Sequence, residues 1–113
     1  MSELTGRRGQ LTIDLALPPI TELIARTFDP EEIILFGSCA LGRARPDSDI
    51  DLMVIGDFRE ARAERKRLLH GAFNGFAVPV DVQLYTRDEF ESEARDPGSF
   101  AATVRRQGVR LHP

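Results

Sequence analysis

The sequence predicts a single α/β or α+β domain, a small sheet with helices packed on it. Three patterns carry that prediction. Two short apolar runs, Ile33–Phe36 and Ile50–Ile55, are each bounded by acidic residues and glycine, as buried strands are. Val78, Val80, Val82 and Leu84 alternate with Pro79, Asp81, Gln83 and Tyr85, which gives a third strand one apolar and one polar face. Between and after these runs, apolar residues recur at helical spacing.

Composition fits that class. The chain has 113 residues, room for one ordinary domain, and its 42% hydrophobic and 29% charged residues are those of a globular protein. The net charge of −3 gives no reason to expect a nucleic-acid coat. A lone cysteine, Cys39, excludes an internal disulfide framework and a multi-thiolate zinc site. No apolar run approaches the roughly 18 residues of a membrane span, and the start MSELTGRRGQ lacks the apolar stretch of a secretory signal. A cytoplasmic protein without membrane contact is therefore expected.

Residues 1–10 read as a flexible leader, and 11–113 as the domain. Leu11, Ile13, Leu15 and Leu17 alternate, as in a short extended segment. Pro18-Pro19 suits the first turn of a helix carrying Ile20, Leu23, Ile24 and Phe28, which Asp29-Pro30 ends. After the strand at Ile33–Phe36, Gly37-Ser38 turns into a short helix reaching about Arg43. Arg45-Pro46-Asp47-Ser48 is a loop before the strand Ile50–Ile55. From Phe58 to Phe73, Ala61, Leu68, Leu69, Ala72 and Phe73 form the stripe of a helix that Asn74-Gly75 ends. Thr86-Arg87-Asp88-Glu89 is a capping box. Asp96-Pro97 reads as a second helix start, with Phe100 and Val104 as its apolar contacts and Gly108 as its end. Val109–Pro113 is a tail or short strand.

The chemistry gathers between Ile33 and Ile55. Gly37 lacks a Cβ, so a ligand can approach the backbone, and Ser38 adds a hydroxyl. Free amides at the start of a helix there would suit phosphate, although a Gly-Ser pair alone is an ordinary turn. Asp49 and Asp51 lie two apart at the start of a strand and so share a face. Like charges so placed call for a cation, and hard oxygen ligands favour Mg²⁺. Alone, Asp-x-Asp is also a common solvated strand end. Asp81 sits on the polar side of the alternating strand. If that strand neighbours Ile50–Ile55, three carboxylates converge, and Asp81 can ligate a second ion or act as general base. The bland alternative is an exposed edge aspartate.

The words LFGSCALGRARPDSDIDLMV and VPVDVQLYT carry a combination more specific than its parts: Gly-Ser, ten residues, Asp-x-Asp, and a later strand Asp. It resembles the polymerase-beta-like nucleotidyltransferase superfamily, in its minimal, MNT-type members. The resemblance covers Ile33 to Tyr85 in detail. It implies a mixed sheet flanked by helices, two Mg²⁺ on Asp49, Asp51 and Asp81, and a nucleoside triphosphate, usually ATP, held at Gly37 and Ser38. AMP would pass to a hydroxyl with loss of pyrophosphate, Asp81 being the base. Many members carry a basic residue where this chain has Cys39 or Leu41; Arg43 or Arg45 supplies a charge nearby.

The resemblance also implies a role. Free-standing minimal members are commonly antitoxins that silence a HEPN-type ribonuclease toxin by adenylylating a tyrosine as well as by binding. Such a chain needs no direct nucleic-acid contact and can form a hetero-oligomer with its toxin. The other readings are a binding-only antitoxin or assembly subunit, and an aminoglycoside nucleotidyltransferase; the lack of a second substrate-binding domain in the sequence disfavours the last.

Other residues read as structural. Cys39 is a small core residue, although a helix start there could lower its thiol pKa. His70 and His112 belong to the surface. Arg59, Arg62, Arg65, Lys66 and Arg67 make a basic stretch, partly balanced by Glu60 and Glu64, that reads as a solvated helix face. Tyr85 falls on the polar face with Asp81 and Gln83, where it could stack on a base.

Overall fold

The computed structural model describes the backbone of residues 2–45 and 47–113 and the side chains of 12–45 and 47–113. Helix α1 spans Ser2–Phe28; β1 is Glu32–Phe36 and β2 is Ile50–Ile55. A 3₁₀ segment, Arg62–Leu69, precedes β3 at Val80–Tyr85. Helices α2, Arg87–Ala94, and α3, Phe100–Gln107, lead to β4, Val109–His112. The leader expected at 1–10 falls where side chains lie outside the described residues, as does Pro46 of the expected loop.

The four strands form one mixed sheet in the order β3-β2-β1-β4. β1 runs antiparallel to both β2 and β4, whereas β2 and β3 are parallel. Both faces are covered. On one, Ile33, Leu35, Ile50, Leu52, Val54, Val82 and Leu84 pack against Ile13, Ile20 and Ile24 of α1. On the other, Ile34, Met53, Ile55 and Tyr85 pack against Phe90, Ala101 and Val104 of α2 and α3. No helix among the described residues is long and apolar enough to cross a membrane.

All three sheet strands read from sequence are present, and the tail is a fourth. The helices differ more. The extended segment expected at 11–17 belongs to α1. Ile13, Ile20 and Ile24 recur at seven and four residues, one helical face, and all are buried, while Leu15 is 78% exposed. Pro18 and Pro19 lie inside this helix and not at its first turn; they cannot donate helical hydrogen bonds, but both point to solvent. The helix expected at 58–73 is replaced by the 3₁₀ segment and turns. Its stripe is too thin: Leu69 and Phe73 pack on the core, whereas Ala61, Leu68 and Ala72 are exposed. The capping box at Thr86 is present in both its bonds. The next helix starts later than expected, because Ser99, not Asp96, accepts from the Ala102 amide as N-cap. Asp96 instead closes the preceding turn by accepting from the Gly98 amide at 3.0 Å.

Arg65 is the main correction to the basic stretch. It is buried, 5% exposed, and not part of a solvated face. Its guanidinium grips both Glu89 oxygens at 2.6 and 3.1 Å and donates to the carbonyls of Leu84 and Glu60. Since β3 is an edge strand, capturing Leu84 oxygen also closes that edge. Glu89 meanwhile accepts from the Thr86 amide, so one carboxylate ties the 3₁₀ segment to the start of α2. Bonding to Arg65 is the main reason its pKa falls to about 2. Tyr85 is likewise not on an open polar face. It is buried against Phe90, donates to Glu93 at 3.2 Å, and carries the Arg62 guanidinium 4.0 Å above its ring.

Breaking a buried pair by removing one partner costs about 3–5 kcal/mol. Arg65→Ala should therefore lower unfolding stability by roughly that much in urea titration. Because the folded pKa of Glu89 lies below its ordinary 4.5, its contribution is complete above that value and disappears as pH falls toward 2. Glu89→Gln should flatten the acid limb of the stability curve over that interval.

Candidate functional site

The site follows from where β2 lies. Five of its six residues are apolar; Asp51 is the polar exception, second in the strand and at its open end. The register puts Asp51 across from Phe36 of β1 and beside Asp81 of β3. Side chains alternate, so Asp51 and Asp81 stand on the same face as Met53 and Tyr85, beyond the part that α2 and α3 cover. The expectation that the Asp81 strand neighbours the Asp51 strand is met directly: the two residues are register partners.

Asp49 precedes β2. Its carbonyl accepts from the Cys39 thiol at 3.1 Å, which ties the Asp-x-Asp segment to the turn after β1. Burial, then the neighbouring Asp51 and Asp49, push the Cys39 thiol up, so it is a buried structural group and not a reactive one. Burial is also the largest reason the Asp51 carboxyl is raised, followed by the like charges of Asp81 and Asp49. Asp49 and Asp81 are exposed and Asp51 half-buried.

Gly37 closes the site on the β1 side. Its φ is +76°, a conformation that L side chains rarely adopt, and a Cβ there would lie 2.5 Å from Asp51 Oδ2. The carboxylate occupies the space the missing side chain leaves. The short helix expected after Ser38 is instead a compact turn between two left-handed glycines, Gly37 and Gly42. Amides of Ala40 and Leu41 fold back on Gly37 oxygen, and that of Arg43 on Ser38 oxygen. This span is too short to carry a helix dipole. It does leave the amides of Ser38 and Cys39 without a backbone acceptor among the described residues. Arg43 and Arg45 are exposed on the same connection.

Hard carboxylate oxygens suit Mg²⁺, and Asp51 is a carboxylate whose surroundings disfavour its charge unless a cation is near. Among the described residues no three acidic, histidine or cysteine side chains already stand as a closed metal cluster. Asp49 and Asp81 are exposed beside half-buried Asp51. The donor set fits a divalent cation by the chemistry of its oxygens.

Sequence spacing did not bring out the aromatic side of the site. Phe36, the cross-strand neighbour of Asp51, stacks edge-to-face with Phe100 at 5.2 Å. Phe100 and Val104 at i and i+4 look like equivalent core contacts, but Val104 is buried and Phe100 is 43% exposed.

A family model for the nucleotidyltransferase domain matches residues 20–107, most of the chain. The chain belongs to the nucleotidyltransferase domain family. No curated protein matches it. Among solved structures, this nucleotidyltransferase domain is similar to a toxin–antitoxin crystallised with AMP-PNP, at 24% identity and TM-score 0.57, over 81% of this chain and 68% of that one. A Sulfolobus solfataricus protein, provisionally described as a nucleotidyltransferase, aligns over 95% of this chain and 82% of its own at 20% identity and TM-score 0.57. A mutant of the toxin–antitoxin MntA-HpeT aligns over 82% and 69% at 21% identity and TM-score 0.55. At these identities the neighbours establish a shared fold: the small mixed sheet flanked by helices that the sequence predicts.

The contact between Gly37 and Asp51 can be tested by a double-mutant cycle. Gly37→Ala should destabilise the nucleotidyltransferase domain through both the clash and the positive φ, by about 1–3 kcal/mol. In an Asp51→Ala background the clash vanishes and only the backbone strain remains. Urea unfolding of the four proteins should therefore show a coupling of about 0.5 kcal/mol or more, and additive effects would refute the contact.

Proposed function

We propose that this nucleotidyltransferase is an antitoxin that transfers AMP from ATP to a hydroxyl of its toxin, the acceptor being a tyrosine of a HEPN-type ribonuclease. The observation that carries the transfer chemistry is the sheet register, which sets Asp81 beside Asp51, while Gly37 makes room for the Asp51 carboxylate. The antitoxin role draws support from the two toxin–antitoxin neighbours, one crystallised with AMP-PNP.

In this reading Asp49, Asp51 and Asp81 would hold two Mg²⁺. Such ions neutralise phosphate charge and stabilise the entering and leaving oxygens of an in-line displacement. The chain's own residues do the rest. Gly37 makes room for the Asp51 carboxylate, and beyond it the Ser38 and Cys39 amides and the Ser38 hydroxyl would donate to the triphosphate oxygens. Arg43 adds positive charge at the rim of that turn. Asp81, exposed and at the far side of Asp51 from Gly37, takes the proton of the acceptor hydroxyl. The acceptor oxygen bonds to the α-phosphorus, the bond to the bridging oxygen breaks, and pyrophosphate leaves toward the Gly37-Ser38 turn.

Incubating the purified chain with the protein of the adjoining gene, ATP and Mg²⁺ should add AMP to that protein by intact mass, with release of pyrophosphate. Asp81→Asn should slow transfer by roughly 10²–10⁴-fold, the usual contribution of a positioned base. Transfer that survives replacing Asp49 and Asp51 with Ala would reject the metal assignment. Tight binding with no AMP added would point to a binding-only antitoxin, and pyrophosphate release with aminoglycosides to a drug-modifying enzyme.

A further inference from the structure

We infer that Phe100 is the platform on which the donor's nucleobase stacks, and that this nucleotidyltransferase consequently holds its nucleotide with little preference among bases. The inference rests on the proposed transfer reaction and adds to it a residue that the polar motif does not include.

Strand order β3-β2-β1 and the register fix a row: Asp81, then Asp51, then Phe36. Phe100 stands edge-to-face on Phe36, with ring centroids 5.2 Å apart and planes at 81°. It is the first residue of α3, held by two independent caps at that helix start. Ser99 accepts from the Ala102 amide, and Glu93, itself bonded to Tyr85, accepts from the Ala101 amide at 3.1 Å. The ring is therefore presented by a braced helix end. Ala101 and Ala102 beside it are buried, so the 43% exposure of Phe100 reflects where its ring stands and not a loose helix terminus.

In-line displacement puts the acceptor and the leaving group on opposite sides of the reacting phosphorus. With Asp81 serving the acceptor at one end of the row, the leaving pyrophosphate lies toward the other end, and the nucleoside, held off that axis, needs a surface beside it. Two surfaces are available there. The Gly37-Ser38 turn offers backbone amides and suits the phosphates. Phe36 and Phe100 offer hydrocarbon and π surface, which suits a base and not a phosphate. The aromatic pair is also the only aromatic surface that borders the row among the described residues, because Tyr85 is buried under Arg62.

Stacking is tolerant of base identity, since every base has a π face, and alanine in place of one stacking ring typically costs a factor of about 5–150 in affinity. Neither Phe36 nor Phe100 has a polar group with which to read a base edge. The expected profile is therefore comparable affinity for purine and pyrimidine triphosphates, with the advantage to the larger purine surfaces.

The test is a set of titrations with Mg²⁺ present, by calorimetry, of ATP, GTP, CTP, UTP and the base-free probe tripolyphosphate. Phe100→Ala should weaken all four nucleotides by about ten- to a hundredfold and leave tripolyphosphate unchanged, and Phe100→Trp should restore the nucleotides. Thermal melts confirm that each variant is folded. Equal ATP affinity for wild type and Phe100→Ala overturns the platform while leaving the proposed reaction standing. So does equal weakening of tripolyphosphate and ATP, which would show a general disturbance of the phosphate site. Strong discrimination among the four bases by the wild type overturns the stacking mode. A wild-type chain that binds no nucleotide at all overturns the proposed reaction and the platform together.

Discussion

The structure depends on the way one carboxylate is accommodated inside a doubly covered strand. β2 runs between an antiparallel and a parallel neighbour, with helices over both faces. Its one polar side chain, Asp51, meets a like charge on β3 and finds space on β1 only because Gly37 has no side chain. Burial and two neighbouring aspartates raise its carboxyl, so in isolation the residue works against the fold. A hydrophobic residue would pack there at lower cost. The glycine turn, the aspartate row and the open end of the face all follow from keeping that carboxylate in place.

The compensation lies elsewhere in the molecule. On the far edge of the sheet, Arg65 closes the free side of β3 and joins the 3₁₀ segment to α2 through Glu89. Glu93 does comparable work one turn later, receiving the Tyr85 hydroxyl and the first free amide of α3 and pairing with Arg62 at 3.6 Å. These are nested contacts built around buried Arg65 and Tyr85, and they differ in worth from the exposed pairs of Arg87 with Glu31 and Arg26 with Glu22. They brace the covering helices on the face that carries the carboxylates. A rigid surround of this kind holds side chains with unfavourable mutual charge on one face of the sheet.

The sequence discloses features whose signal is local. Strand alternation at Val78–Tyr85 put Asp81 on the face opposite Val82 and Leu84, because period two leaves a single consistent reading, but it did not show that Tyr85 on the Asp81 face is buried. The capping box at Thr86 and Glu89 needs only four consecutive residues. The Asp-x-Asp pair after Gly-Ser was legible for the same reason. What failed was decided at a distance. Ile13 and Ile20 fit an alternating run and a helical face alike, and only packing of α1 on the sheet separates the two. Arg65 sits among other basic residues, and its partners are Glu89 and the Leu84 carbonyl, 24 and 19 positions away. The turn after Ser38 resembles a helix start in composition, yet two left-handed glycines limit it to one turn.

Phe100 extends that lesson to function. A motif of aspartates and glycine is selected for charge and close approach, so it names the groups that touch phosphate and is silent about hydrocarbon. Apolar contributions to a site are recognised only by where burial falls short of what packing would provide. Ala101, Ala102 and Val104 are covered by the sheet, and Phe100, on the same helix, is left about half open on top of the residue that faces Asp51. A side chain of that size, held by a capped helix and a neighbouring ring, gains little stability from its exposed half. Its free surface is useful to the molecule only if something flat completes the contact. In the proposed reaction, the flat group nearest to hand is the base carried by the phosphate chain at the carboxylate row.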